Sequence, residues 1–286
     1  MRVVPICVGL GRCLALICRN ENRIRERYTI MNNENCGPGL QLHDIAAAFS
    51  LLTRLPVPVD HTRAGTRAAA AVWAYPLVGA AVGLVSGTLG GVLLLLGVAS
   101  GICAAVVIGT MALLTGALHE DGIADCADGL AGGMTLQRRL EIMKDSRVGA
   151  FGAAALGVFL LARWSGTEAL LPAQWPWVFA AIGAVSRLPM VLAMSVMPLA
   201  RRDGMAAGVG RPPALSIMLA VVLSAVICVG FTGLSGIVIF LCACLSPIPL
   251  WFAAQRTIGG YTGDILGGSQ QIAEVAALGA ATAMLI

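Results

Sequence analysis

Residues 119–133, HEDGIADCADGLAGG, gather Glu120, Asp121, Asp125 and Asp128 within ten positions of a 286-residue chain that holds only 15 acidic residues. At 100° per residue, Asp121, Asp125 and Asp128 stand at i, i+4 and i+7, within about 60° of one another on a helix, with Glu120 at the flank. Three carboxylates on one face repel one another unless a cation or a basic partner joins them. All-oxygen donors suit Mg²⁺, Mn²⁺ or Ca²⁺ better than zinc, so Asp121, Asp125 and Asp128 are the expected metal ligands. Gly122, Gly129, Gly132 and Gly133 weaken the helix but leave room for a bulky phosphorylated ligand. The plainer alternative is a solvated helix whose acids pair with Arg138 and Arg139.

Other segments carry matching chemistry. RRLEIMKDSRVGAFG, residues 138–152, sets Lys144 and Arg147 beside Asp145. Such a pair suits phosphate oxygens near a metal, and equally suits the role of membrane anchors beside a span. Residues 200–212, ARRDGMAAGVGRP, put Arg201, Arg202 and Arg211 around a Gly-rich turn fit for a nucleotide or phosphate. GGYTGDILGG, residues 259–268, adds Asp264 in a Gly/Thr loop. Each is weak alone; their convergence on one face carries the weight.

The elements that must position these residues are membrane helices. The chain is 58% hydrophobic and 12% charged, against about a quarter charged in soluble domains. No Lys, Arg, Asp or Glu occurs from Ala68 to Leu118 or from Pro212 to Gln255, and each run can supply two helices of roughly 20 residues. The expected fold is all-α, a polytopic bundle of about six or seven transmembrane helices. The coarse spans are 69–97, 99–118, 148–164, 174–197, 214–232, 235–255 and 266–286. Abundant Gly and Ala favour close helix packing. The nine cysteines form no CxxC pair and read as small buried hydrophobes rather than a zinc or disulfide framework.

Basic residues orient the bundle. Nine arginines precede residue 68, and further Lys and Arg fall in 119–147, in 201–211 and at Arg256, whereas the alternate side has only Arg163, at a helix end. The positive-inside bias places the amino terminus and the polar loops in the cytosol, with the carboxylates among them. Residues 1–42 differ in character: Arg12 interrupts their apolar run, which argues against a span and weakens a signal-peptide reading. They read as an amphipathic or disordered extension, with Met31 as an alternative start, ahead of a membrane-embedded domain at 43–286.

At these residues the chain resembles the cobalamin synthases, the adenosylcobinamide-GDP ribazoletransferases. HEDGIADCADGLAGG followed by EIMKDSRVGAFG is similar to the family's most diagnostic block, and FSLLTRLPVP, YPLVG, GVGRP and GGYTGDILGG recur in the expected order from about residue 43 to 286. Cys126 stands where Thr is more often expected. The resemblance implies an integral protein of the bacterial inner membrane with its active site facing the cytoplasm. The implied reaction is attack by the 3′-hydroxyl of α-ribazole, or of its 5′-phosphate, on the cobinamide-bound phosphorus of adenosylcobinamide-GDP, releasing GMP. Mg²⁺ held by Asp121, Asp125 and Asp128 would bridge the diphosphate. Lys144 and Arg147 would neutralise phosphate oxygens, Arg202 and Arg211 would contact substrate, and Glu120, His119 or Asp264 would accept the hydroxyl proton. The expected partners are these substrates and the lipid bilayer, not nucleic acid, and a homo-oligomer remains open. Two rival classes are a lipid phosphotransferase of the CDP-alcohol type, since DCADG is similar to the DxxDG core of those enzymes, and a cation-coupled transporter.

Overall fold

The computed structural model describes residues 40–174 and 176–286, so the expected extension lies outside the described residues apart from its last three positions. Among them the chain is helical throughout, with one isolated bridge between Leu199 and Tyr261. Helix α1 (Leu42–Leu52) and α2 (His61–Ala71) are followed by a short 3-10 turn, Val72–Ala74, that runs on into α3 (Tyr75–Leu95). Then come α4 (Ser100–Thr115), α5 (Leu118–Gly132), α6 (Leu136–Ile142), α7 (Ala150–Gln174) and α8 (Trp177–Val196). A single turn, α9 (Met205–Val209), precedes α10 (Ala214–Thr232), α11 (Ser235–Leu245), α12 (Ile248–Thr257) and α13 (Gly263–Leu285).

Among the described residues, five helices are long and apolar enough to cross a membrane: Ala71–Leu95, Ala150–Ala173, Trp177–Val196, Ala214–Thr232 and Ser235–Thr257. A sixth arises only if α4 and α5 are taken together, although they meet at 89°. The chain is therefore an integral membrane protein, with five, or up to six, candidate spans among the described residues. The seven segments expected from hydropathy differ from this in three places. The span at 99–118 ends at Thr115 and turns sharply into the aspartate-bearing helix. The segment at 266–286 is helical, but Gln270, Gln271 and Glu274 interrupt its apolar surface, and all three are buried inside the bundle. The span at 148–164 runs on to Gln174, so Arg163 lies well inside α7 and not at its end; its side chain is only 1% exposed.

Helix α8 is the axle of the bundle, with 89% of its apolar window buried, whereas α10 and the α11–α12 segment bury 22% and leave most of their apolar surface outward, as lipid-facing helices do. Gly79, Gly83 and Gly87 form a small-residue ridge on α3, against which α8 packs at backbone distance. A Cβ at Gly79 would collide with the Gly183 carbonyl, and one at Gly83 with the Phe179 carbonyl. This close approach is what small residues permit in membrane helices, where packing rather than the hydrophobic effect drives association.

The α4–α5 corner is built from two consecutive left-handed residues, Gly116 at φ 67° and Ala117 at φ 55°. Ala117 is the only non-glycine residue at positive φ among those described, and the strain costs about 1–2 kcal/mol. Arg54 packs under Gly116, and the Arg54 amide donates to the Leu114 carbonyl at 2.7 Å, so the corner is held from outside. On the opposite flank, α1 is clamped to α2 by a buried pair. Arg67 Nε and Nη2 donate to the two Asp44 carboxylate oxygens at 2.8 and 2.9 Å, and Trp73 Nε1 adds a third bond at 3.1 Å.

Candidate active site

The corner turns α5 across the bundle, and α5 then packs against α13 through two glycines. A Cβ at Gly122 would lie 2.9 Å from Gly267 Cα and 3.0 Å from the Asp264 carbonyl oxygen. The two backbones touch, which sets Asp121 and Asp125 of α5 beside Asp264 in the first turn of α13. Asp125 feels the like charges of Asp121, Asp264 and Asp128 and the opposite charge of Arg201.

A cleft open to solvent lies here. Asp121, Asp264, Arg201 and Asp203 make its polar wall; Tyr75, Met190, Met194 and Leu266 belong to its apolar part, and His119 also borders it. Arg201 sits 3.5 Å from Asp264 and 3.9 Å from Asp203. Its segment is tied down by backbone bonds: Ala200 N donates to the Tyr261 carbonyl and Tyr261 N to the Pro198 carbonyl, each at 2.9 Å. A Cβ at Gly260 would strike the Pro198 carbonyl, so the two loops approach as closely as their backbones allow.

The three polar connections singled out in sequence do meet at one end of the bundle. Lys144 forms an ion pair with Asp203, Arg201 faces Asp264, and Arg139 Nη1 donates to the Thr257 carbonyl at 3.5 Å. The Lys144 bond holds the Asp203 carboxyl below its ordinary range. Arg138 pairs with Glu141 at 3.2 Å, and no pair links either Arg138 or Arg139 to the α5 acids among the described residues, so the solvated-helix alternative lacks its partners.

Five expected site residues have partners elsewhere or lie off the cleft wall. Asp128 is buried on the far side of the stripe, where its two oxygens accept from the amides of Gly149 at 2.7 Å and Gly152 at 2.9 Å. It therefore caps the start of α7, whose unpaired amides and positive dipole end favour a carboxylate. Gly149 and Gly152 are needed there because a Cβ at either would run into that carboxylate. Glu120 turns away from the cleft and pairs with Arg163 at 2.6 Å. Arg147, exposed, is engaged by Asp145 through three side-chain bonds that hold the Asp145 carboxyl down at about 2, and it is not on the cleft wall. Arg202 is exposed and outside the cleft lining, and Arg211 donates to the Ser195 carbonyl at 3.0 Å, stitching its loop to the end of α8.

Beneath the cleft lies an ionic core that the sequence reading missed. Arg163 Nε is 2.8 Å from Glu274, Arg187 lies 3.7 Å from the same carboxylate, and Gln270 donates to it at 2.5 Å. With Glu120 and Gln271 this network joins α5, α7, α8 and α13. The signal was present, since charged residues inside apolar spans are rare and demand partners: Arg163, Arg187 and Glu274 each interrupt such a run.

Among the described residues, no three His, Cys, Asp or Glu side chains converge as a ready metal cage. Mg²⁺ keeps several waters and is commonly held by one or two carboxylates together with substrate phosphates. Asp121 and Asp125, one turn apart on α5, are a donor set of that kind.

The sequence profile described as cobalamin-5-phosphate synthase matches residues 44–282. Curated relatives named adenosylcobinamide-GDP ribazoletransferase include one from Bradyrhizobium diazoefficiens, 38% identical over 243 residues and covering 82% of this chain and 91% of the relative. Another, from Mesorhizobium japonicum, is 38% identical over 252 residues, 86% of this chain and 95% of the relative. A third, from Sinorhizobium medicae, is 39% identical over 248 residues, 83% and 95% respectively. No solved structure matches. A profile match running from the first turn of α1 almost to the end of α13, together with relatives of this identity and coverage, shows that the chain belongs to the cobalamin-5-phosphate synthase (CobS) family.

Proposed function

We propose that this protein transfers the cobinamide phosphate moiety of adenosylcobinamide-GDP to α-ribazole or α-ribazole 5′-phosphate, releasing GMP and completing the nucleotide loop of a cobalamin. Family membership supports the reaction. The single structural observation that carries it is a cleft whose polar wall brings Asp121 of α5, Asp264 of α13 and Arg201 together, on the end of the bundle where Lys144 also lies. Carboxylates for a cation and cations for a diphosphate are what phosphoryl transfer requires, because positioning and charge stabilisation do most of the work.

Asp121 and Asp125 are the residues that would hold Mg²⁺, which replaces the expected triad now that Asp128 serves α7. Bound there, Mg²⁺ would supply charge neutralisation for the diphosphate and the departing GMP. Asp264 borders the same cleft from α13, with Thr262 Oγ1 donating to its Oδ2 at 3.0 Å, and would take the proton of the attacking hydroxyl. Lys144, at the end of the exposed Asp203 pair, can swing to phosphate oxygens at the rim. The apolar walls exclude water from the reacting phosphorus and so limit hydrolysis of the donor. The positive-inside distribution of Lys and Arg supports a cytoplasmic orientation for this end.

The test is GMP release by the purified, bilayer-reconstituted protein given adenosylcobinamide-GDP and α-ribazole, with and without Mg²⁺. Turnover that requires both substrates and the cation is the expected result. Transfer to a diacylglycerol instead, or cation flux without GMP release, would overturn the reading.

A further inference from the structure

Three arginines lie in or beside the 201–211 turn, and only one has its head group on the cleft wall. Arg201 is largely buried, with its side chain 16% exposed, yet it makes no hydrogen bond of ordinary length to either neighbouring carboxylate, which stand at 3.5 and 3.9 Å. Its Nη1 is buried with no hydrogen-bond partner among the described residues. Leaving a buried charged donor unsatisfied is costly, and an anionic oxygen that enters the cleft and turns this side chain toward it would satisfy it. The backbone bonds between Ala200, Pro198 and Tyr261 fix the root of this side chain beside Asp264. By contrast, Arg211 already spends its head group on the Ser195 carbonyl and Arg202 projects outside the cleft lining.

We infer that Arg201, rather than Arg202 or Arg211, is the guanidinium that grips the diphosphate of a nucleoside diphosphate in this cleft, exchanging its long contacts with Asp203 and Asp264 for phosphate oxygens. The inference rests on the transferase reading and adds a residue and a partner exchange to it. Asp203 is then a competitor for the Arg201 charge when no phosphate is bound. When phosphate takes that charge, Asp264 is released toward the attacking hydroxyl.

The experiment is equilibrium binding of GDP, in the presence of Mg²⁺ and without acceptor, to the full chain in nanodiscs. One charge-assisted contact contributes about 1.5–3 kcal/mol, so Arg201→Gln should weaken GDP about 10- to 150-fold, with an unchanged melting temperature. Arg201→Lys should fall between, and Arg202→Gln should bind as wild type. Asp203→Asn, which removes the competitor at an exposed position, should tighten GDP. Equal affinity for wild type and Arg201→Gln would overturn the assignment while leaving the transferase reading intact, as would weakened binding by Asp203→Asn. If Arg201→Gln proves unstable, the Arg201→Lys affinity still decides. Wild-type protein that neither binds GDP nor turns over would remove both.

Discussion

Gly122 offers the sharpest test of how the cleft is assembled. Replacing it with Ala adds one carbon facing the α13 backbone, 2.9 Å from Gly267 Cα, 3.0 Å from the Asp264 carbonyl oxygen and 3.3 Å from the Gly267 carbonyl carbon. Ordinary carbon–carbon contact begins at about 3.5 Å, so the two helices must part by roughly 0.6 Å. All three obstacles are backbone, and no side chain can rotate out of the way. Overpacking of this kind costs about 1–3 kcal/mol. The larger effect falls on chemistry, because parting the helices moves Asp121 and Asp125 away from Asp264, and a misplacement near 1 Å costs on the order of 10²-fold in rate. The assay is GMP release by purified Gly122→Ala beside its melting temperature, with Gly109→Ala and Gly157→Ala as controls, since a Cβ at either meets nothing within 4 Å. The controls should be neutral or slightly stabilising, as Ala is about 0.5–1 kcal/mol better than Gly within a helix. A Gly122→Ala protein with the wild-type rate would show that the α5–α13 spacing does not set the catalytic geometry.

Further outcomes follow from the same contacts. Asp121→Asn and Asp125→Asn should each raise the Mg²⁺ concentration needed for half-maximal GMP release and cut the maximal rate by orders of magnitude, whereas Asp128→Ala should chiefly lower the melting temperature, by the equivalent of about 1–3 kcal/mol for two lost bonds to the α7 amides; a Mg²⁺ requirement shifted most by Asp128→Asn would restore it as a ligand. Arg163→Met leaves Glu120 and Glu274 buried without their shared cation and should cost about 3–5 kcal/mol in denaturant or thermal unfolding; melting alongside the wild type would mean that the network is hydrated. Burial pushes the Asp44 carboxyl up, but bonds from Arg67, Trp73 and the Gln41 amide outweigh it and hold the group below its ordinary 3.8. Its contribution is thus fully present above that unfolded value and lost as the pH falls from it through the lower value of the folded state, so the gap in melting temperature between wild type and Asp44→Asn should be wide at pH 6 and shrink below about pH 4; a gap that stays constant well below about pH 4 would contradict the buried pair.

What the sequence alone determined is what local periodicity and composition carry. Charge-free runs of membrane length require helices, because a bilayer leaves backbone groups no other partner. The i, i+4 spacing of Asp121 and Asp125 places them on one face whatever surrounds them, and the spaced motifs were enough for the family resemblance that the profile and the relatives then bore out. Tertiary structure decided which side chains share a space. Asp128 belongs to the same stripe by period, yet the start of α7, twenty-one residues away, takes both its oxygens. Glu120 looks like part of an acidic cluster, but the 89° corner at Ala117 sets its helix so that this side chain meets Arg163 and not the cleft. Arg201, Arg202 and Arg211 are alike as sequence, and only the pairing of Leu199 with Tyr261 brings the first of them beside Asp264. Helical period fixes angles within one element, whereas the partners of a charge are set by which distant backbones can touch, and here that is decided by pairs of glycines such as Gly122 and Gly267, whose contact no local pattern announces.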